Sequence, residues 1–227
     1  MQEQNSPEDI AVLLVVDSEM FASGLVLALS TRSHLHIVAV ARNVRDAHEA
    51  ILRFAPHFVL VESEMARELG ALMAADGWGA KVLVLGRNEH IGVEPPVDTR
   101  LLCGFLSYGA GSRDYLATID MIAVCPRRQA AACTACDRCI LRPSLEPQAL
   151  DLTTREQQVF SLTGRGFRSG EMAKVLGVST KTIDAHRESI KHKLGLDSAR
   201  ALNVVAARWC HGENVRADTP GESRTLR

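Results

Sequence analysis

Five short apolar runs rich in β-branched residues limit what the first half of this chain can fold into. They are Ile10 to Val16 (IAVLLVV), His36 to Ala41 (HIVAVA), the FVLV of PHFVLVES after Pro56, Lys81 to Leu85 (KVLVL) and Leu101 to Leu106 (LLCGFL). Continuous runs of this kind suit parallel strands buried on both faces rather than half-exposed ones. Helical patterns separate them at about 19–31, 43–54 and 64–75, and a loop with Pro95 and Pro96 precedes the fifth run. Ser112 can cap a last helix over about 113–123. Strand and helix alternating at this spacing predict a doubly wound α/β sheet of about 110–120 residues. Such sheets carry their sites at the carboxyl ends of the strands, here VVDSE (15–19), LVES (60–63), LGR (85–87) and FLSYG (105–109).

The sheet accounts for only half of the 227 residues, so a second small domain is expected. The net charge of −1 gives no overall basic field, and local charge must be read instead. No apolar run approaches the roughly 18 residues that span a membrane. The start, MQEQNSPEDI, is polar and acidic, unlike a secretory signal. A cytoplasmic protein is expected. No Gly-rich phosphate loop and no Ser/His/Asp arrangement stands out, so no enzyme is expected.

The stretch from Leu152 to Trp209 has a different texture. Thr153 and Glu156 form a T-x-x-E capping box opening a helix that buries Val159, Phe160 and Leu162 and stops at Gly164 and Gly166. A second helix, about 169–176, buries Met172, Ala173 and Leu176. After Gly177 and Val178, Ser179 caps a third over about 180–194, with Ile183, Ile190 and Leu194 inward and Gly195 ending it. Ser198 caps a fourth, carrying Leu202, Val205, Ala206 and Trp209. Two short helices at a glycine-containing turn describe a helix-turn-helix. Between Asp151 and His211 ten Lys/Arg face six Asp/Glu, a local excess of the sign that phosphate contact requires.

LTTRE, the run from Gly166 to Ile183, His186 and K-x-G-L (Lys193 to Leu196) resemble the LuxR-type domain, the output module of NarL/FixJ response regulators. The resemblance implies an all-α four-helix domain that binds double-stranded DNA as a homodimer through its last helix, with contact to RNA polymerase a further expectation. It places Asp184, Ala185 and Glu188 toward base edges, while Lys181, Thr182, Arg187 and Lys191 suit phosphates. A carboxylate in the major groove can accept a hydrogen bond from cytosine N4. Alternatively, Asp184 and Glu188 are a solvated i,i+4 pair, with Arg187 or Lys191 reading the bases. His186 suits packing near a phosphate, and His192 is expected on the surface.

The first half resembles a response-regulator receiver domain, with a flavodoxin-like sheet. By position, Asp17 keeps the first acid of the family's metal-binding pair and Ser18 replaces the second. Glu62 stands in place of the phosphoacceptor Asp, Gly86 replaces the Thr/Ser, and Tyr108 falls near the Lys. Mg²⁺ prefers several hard oxygen ligands, so losing a carboxylate weakens that site. These departures predict a degenerate receiver without the usual phosphotransfer. Either Glu62 imitates a permanently charged Asp, or the pocket has decayed and Glu62 is a solvated acid at a strand end.

Between the halves, CPRRQAAACTACDRC gathers four of the six cysteines: Cys125, Cys133, Cys136 and Cys139. Cytosolic thiols stay reduced, so such a cluster reads as metal-binding or redox-active before it reads as a disulfide framework. C-x7-C-x2-C-x2-C suffices for a tetrahedral thiolate site or an iron–sulfur cluster. Arg127, Arg128, Arg138 and Arg142 would favour the thiolates. Three readings are open: an iron–sulfur sensor, a structural Zn²⁺ site, or a bare thiol switch. Cys103 and Cys210, each isolated, are expected to pack.

The expected order is a disordered start (1–9), a receiver-like domain (10–123), a cysteine-rich linker (124–147), a helix-turn-helix domain (148–211) and a polar, disordered tail (212–227). The function this implies is DNA-binding regulation without phosphorylation, with input through the cysteines. A conventional phosphorylated regulator with a zinc-stapled linker, and a thiol or metal adaptor that does not bind DNA, are the alternatives.

Overall fold

The computed structural model describes residues 9–78, 80–93, 101–123, 125, 139 and 141–215. They divide into two compact units, one of residues up to 87 with 101–145, the other of 88–93 with 146–215.

The first unit is a five-stranded parallel sheet in the order β2-β1-β3-β4-β5. Its strands are β1 (Ile10–Val15), β2 (Leu35–Ala41), β3 (Phe58–Glu62), β4 (Lys81–Gly86) and β5 (Leu102–Ser107). This is the flavodoxin-like order, whose switch point lies between β1 and β3. Four helices pack on it: α1 (Glu19–Leu29), α2 (Val44–Phe54), α3 (Ser63–Ala75) and α4 (Ser112–Ala123). Every residue of β3 and β4 is buried, as the unbroken apolar runs require. The helix starts follow from side-chain caps. Ser18 accepts from the Phe21 N–H at 3.3 Å, and Asn43 accepts from the Asp46 N–H at 2.9 Å. Arg32 joins the end of α1 to α4 through a two-oxygen contact with Asp120 at 3.0–3.1 Å.

The second unit holds α5 (Thr154–Gly164), α6 (Ser169–Leu176), α7 (Thr180–Lys193) and α8 (Ala199–Cys210). Its core is the expected one: Val159, Phe160, Leu162, Met172, Ala173, Ile183, Ile190, Leu202, Val205, Ala206 and Trp209, with Leu176 and Leu194 half-buried at its rim. The Trp209 indole N–H donates to the Gln148 carbonyl at 2.7 Å, so its ring sits in the core with no unpaired donor.

Three boundaries differ from the expected ones. Residues 212–215 are not a tail. Val215 is buried, its N–H donates to the Gln148 Oε1 at 3.0 Å, and the Gln148 amide donates to Asn214 at 2.9 Å. The end of the linker belongs to the sheet, because a 3-10 turn at Arg142–Leu145 sets Ser144 to accept from the Phe105 N–H at 3.0 Å. Residues 88–93 belong to the helical unit. Val93 N–H donates to the Cys210 carbonyl and His90 N–H to the Gly212 carbonyl, both at 3.0 Å, and Ile91 is buried. The expected disorder of the N-terminal segment concerns residues 1–8, which lie outside the described residues.

Candidate functional site

Helices α6 and α7 meet at Gly177, and Ser179 caps α7 by accepting from the Thr182 N–H at 3.1 Å. Ile183 and Ile190 bury one face of α7. Lys181, Asp184, Ala185, Glu188 and His192 recur at helical spacing on the exposed face. This is the second helix of the helix-turn-helix, and in DNA-binding proteins with that motif the second helix lies in the major groove.

Glu156 fixes the orientation of that helix. The capping box is present, and the same carboxylate does more. Its Oε2 accepts from the Thr153 N–H and the Lys193 ammonium, each at 2.8 Å, and its Oε1 accepts from the Ser189 hydroxyl at 2.7 Å. One buried carboxylate thus ties the start of α5 to the last turns of α7. Lys193, Ser189 and Thr153 together hold the Glu156 carboxyl down to about 2. The sequence showed Glu156 only as a cap, because its partners on α7 lie 33 and 37 positions away.

The expected DNA-contacting residues fall into two groups. Lys181, Asp184, Ala185 and Glu188 line the exposed stripe. Asp184 and Glu188 are both exposed, and each also meets a neighbour. Asp184 Oδ1 accepts from the Ser169 hydroxyl at 2.9 Å, and Glu188 Oε2 meets the half-buried Lys191 ammonium at 2.9 Å. Thr182 is half-buried and shares its hydroxyl with Ser179 at 2.8 Å. Arg187 also has partners within the protein. Its guanidinium donates to Thr163 Oγ1 at 3.2 Å and Asn203 Oδ1 at 2.9 Å, bridging α7 to α5 and α8. His186 is half-buried and His192 exposed.

The residues at the receiver positions form a closed hydrogen-bonded group. Glu62 is only 7% exposed, which overturns its reading as a solvated acid. Its Oε2 accepts from the Asp17 N–H at 2.9 Å and its Oε1 from the Tyr108 hydroxyl at 2.5 Å. Burial, and then the Glu62 carboxylate, push the Tyr108 hydroxyl well above its ordinary range. The Tyr108 ring packs on Phe21 with centroids 4.6 Å apart. Arg42 donates to the Asp17 carbonyl at 2.9 and 3.2 Å. Ser18, at the place of the second acid, is spent on capping α1. A side chain at Gly86 would meet the Phe105 ring at 2.6 Å, so an aromatic edge occupies the space a Thr or Ser would fill. An open depression of about 550 Å³ beside this group is lined by acids and arginines together, including Asp17, Glu64, Arg42 and Arg87.

Of the four clustered cysteines, Cys125 and Cys139 are half-buried free thiols, while Cys133 and Cys136 lie outside the described residues. Cys103 packs half-buried against the sheet core, and the Cys210 thiol donates to the Ser161 carbonyl at 3.5 Å. No helix among the described residues is long and apolar enough to cross a membrane.

Fold and site together define a receiver-like sheet followed by a helix-turn-helix unit. Residues 150–206 match the family of bacterial regulatory proteins, luxR family (GerE). The chain is similar to the transcriptional regulatory protein MctR of Rhizobium johnstonii, 21% identical over 197 residues that cover 85% of this chain and 91% of the relative. It is similar to the transcriptional regulatory protein LnrK of Bacillus subtilis, 24% identical over 229 residues that cover 88% and 97%. Among solved structures, the RcsB response regulator of Salmonella typhimurium shares the fold with a TM-score of 0.53 at 18% identity, over 88% of this chain and 98% of that one. An RcsB–DNA complex does so with a TM-score of 0.52 at 19% identity, over 87% and 97%.

Proposed function

We propose that this chain is a DNA-binding transcriptional regulator of the NarL/FixJ type that works in the cytoplasm without phosphotransfer. The exposed stripe of α7, on a locally basic unit within the luxR-family match, carries the reading. Lys181 and the positive end of the α7 dipole engage phosphates, and a second copy joins through α8, where Arg200, Asn203 and Val204 are exposed. RNA polymerase is the protein partner such a dimer would meet at a promoter.

Phosphotransfer is set aside because both oxygens of Glu62 accept hydrogen bonds from within the protein and the Phe105 ring stands where a Cβ at position 86 would lie. Full-length protein titrated with duplex DNA over a range of salt tests the whole reading. Affinity is expected to fall linearly on a log–log plot, by about 0.9 for each phosphate neutralised. Lys181→Ala reduces that slope by about one per protomer and weakens binding to all sequences alike. Acetyl phosphate leaves the isotherm unchanged. Binding that ignores salt would favour the adaptor alternative, and an isotherm shifted by acetyl phosphate would favour a conventional regulator.

Input is assigned to Cys125, Cys133, Cys136 and Cys139, whose four thiolates suit an iron–sulfur cluster. Protein purified without oxygen is then brown, with about four irons and four sulfides per chain, and Cys136→Ala bleaches it. Colourless protein with one Zn²⁺ per chain would make the segment a structural staple instead.

A further inference from the structure

We infer that Asp184 and Glu188 make α7 a reader of cytosine, and that its half-site carries two cytosines about two base pairs apart. The inference rests on the DNA-binding reading above and adds to it the identity of the bases. Along the exposed stripe, Lys181 supplies a donor and Ala185 a methyl, and the carboxylates of Asp184 and Glu188 are acceptors. Carboxylates on a DNA-facing helix would ordinarily be repelled by phosphates. Here each is held by a neighbour that reduces this cost. The Lys191 ammonium lies 2.9 Å from Glu188 Oε2 and offsets part of its charge, and the Ser169 hydroxyl donates to Asp184 Oδ1. No hydrogen bond to another described residue engages Asp184 Oδ2 or Glu188 Oε1. Each carboxylate thus keeps one oxygen available as an acceptor while the other meets a neighbour.

The base these acceptors fit follows from the major-groove edges. Guanine presents two acceptors and thymine one, and each repels a carboxylate. Adenine offers an amino donor, but its N7 lone pair stands beside it. Cytosine offers N4–H₂ with no acceptor next to it on the same base. Asp184 and Glu188 are four residues apart, about 6 Å along the axis, and on a helix lying along the groove this spans about two base-pair steps of about 3.4 Å.

The test is selection from a random duplex pool by the full-length protein, followed by competition binding. The selected half-site is expected to hold two cytosines at that separation, with about tenfold or greater loss on replacing either by thymine. Glu188→Ala erases the preference at one of the two positions while leaving affinity for unrelated duplex equal or higher, because an acid has been removed. Glu188→Gln moves that preference toward adenine, which an amide meets at N6 and N7 together. Asp184→Ala erases the other position. Both residues are exposed, and unchanged circular dichroism excludes a folding loss. The same base profile for wild type and all three variants, or a wild-type profile without cytosine, overturns the inference while leaving DNA binding intact. Absence of salt-dependent duplex binding overturns the DNA-binding reading itself, and this inference with it.

Discussion

Replacing Gly212 by alanine lowers the stability of the helical unit by about 3 kcal/mol. Gly212 ends α8 in a Schellman turn, with its own N–H donating to the Trp209 carbonyl and the Glu213 N–H to the Arg208 carbonyl, both at 3.0 Å. Its φ of +85° is one that side-chain-bearing residues adopt only under strain. A Cβ there would also collide with the His90 carbonyl oxygen, which is backbone and has no rotamer to move. Residues 88–93 therefore have to shift, and with them the buried Ile91 and Val93 at the rim of the core. Burial of one isoleucine alone is worth about 1.5–3 kcal/mol. The measurement is a urea midpoint followed by Trp209 fluorescence in a Trp78→Phe background, since the chain has only two tryptophans. Ile91→Ala should cost a similar amount, and the double variant less than the sum, because both changes release the same segment. Additive costs would mean that Ile91 packs independently of the Gly212 turn.

That segment also shows where reading the sequence stopped. The strands and helices were legible because their signals are local: continuous β-branched runs for β1, β3 and β4, and capping residues such as Thr153, Ser179 and Ser198 at helix starts. The stripe of α7 was legible because helical spacing assigns Ile183 and Ile190 inward and leaves Lys181, Asp184 and Glu188 outward. What the sequence did not show depends on partners far along the chain. Residues 88–93 read as a loop between two strands, yet their backbone pairs with residues 210 and 212. Arg187 read only as a DNA contact, because nothing local announces Thr163 or Asn203 as its further acceptors. The sequence leaves Glu62 open between a charged mimic and a solvated strand-end acid, because its burial needs donors from Asp17 and from Tyr108, 45 and 46 residues away. Gly86 read as a missing hydroxyl, whereas the ring of Phe105 on the neighbouring strand makes glycine the residue that fits.

Glu156 gives the other large effect. Glu156→Ala is expected to cost about 3 kcal/mol, combining loss of the capping box, about 1 kcal/mol, with loss of charged hydrogen bonds to Lys193 and Ser189, about 1.5–3 kcal/mol. Glu156→Gln keeps an acceptor for Thr153 but removes the charge, and costs less. The pH dependence separates the two contributions. The carboxyl is held at about 2 in the folded unit, below its ordinary 4.5, so the unfolded chain binds the proton first as acid is added. The stabilisation is therefore complete above about pH 4.5 and is lost as the pH falls toward 2. Urea midpoints of the Trp78→Phe protein, measured by Trp209 fluorescence, should show a gap between wild type and Glu156→Gln that is constant near neutrality and narrows below pH 4.5. A gap that persists unchanged at pH 3 would mean that the carboxylate acts through shape alone and that its charge does not hold Lys193. Because Lys193 and Ser189 sit in the last turns of α7, the same change loosens the helix that presents Lys181, Asp184 and Glu188, so duplex affinity should fall with stability even though Glu156 itself is buried away from that face.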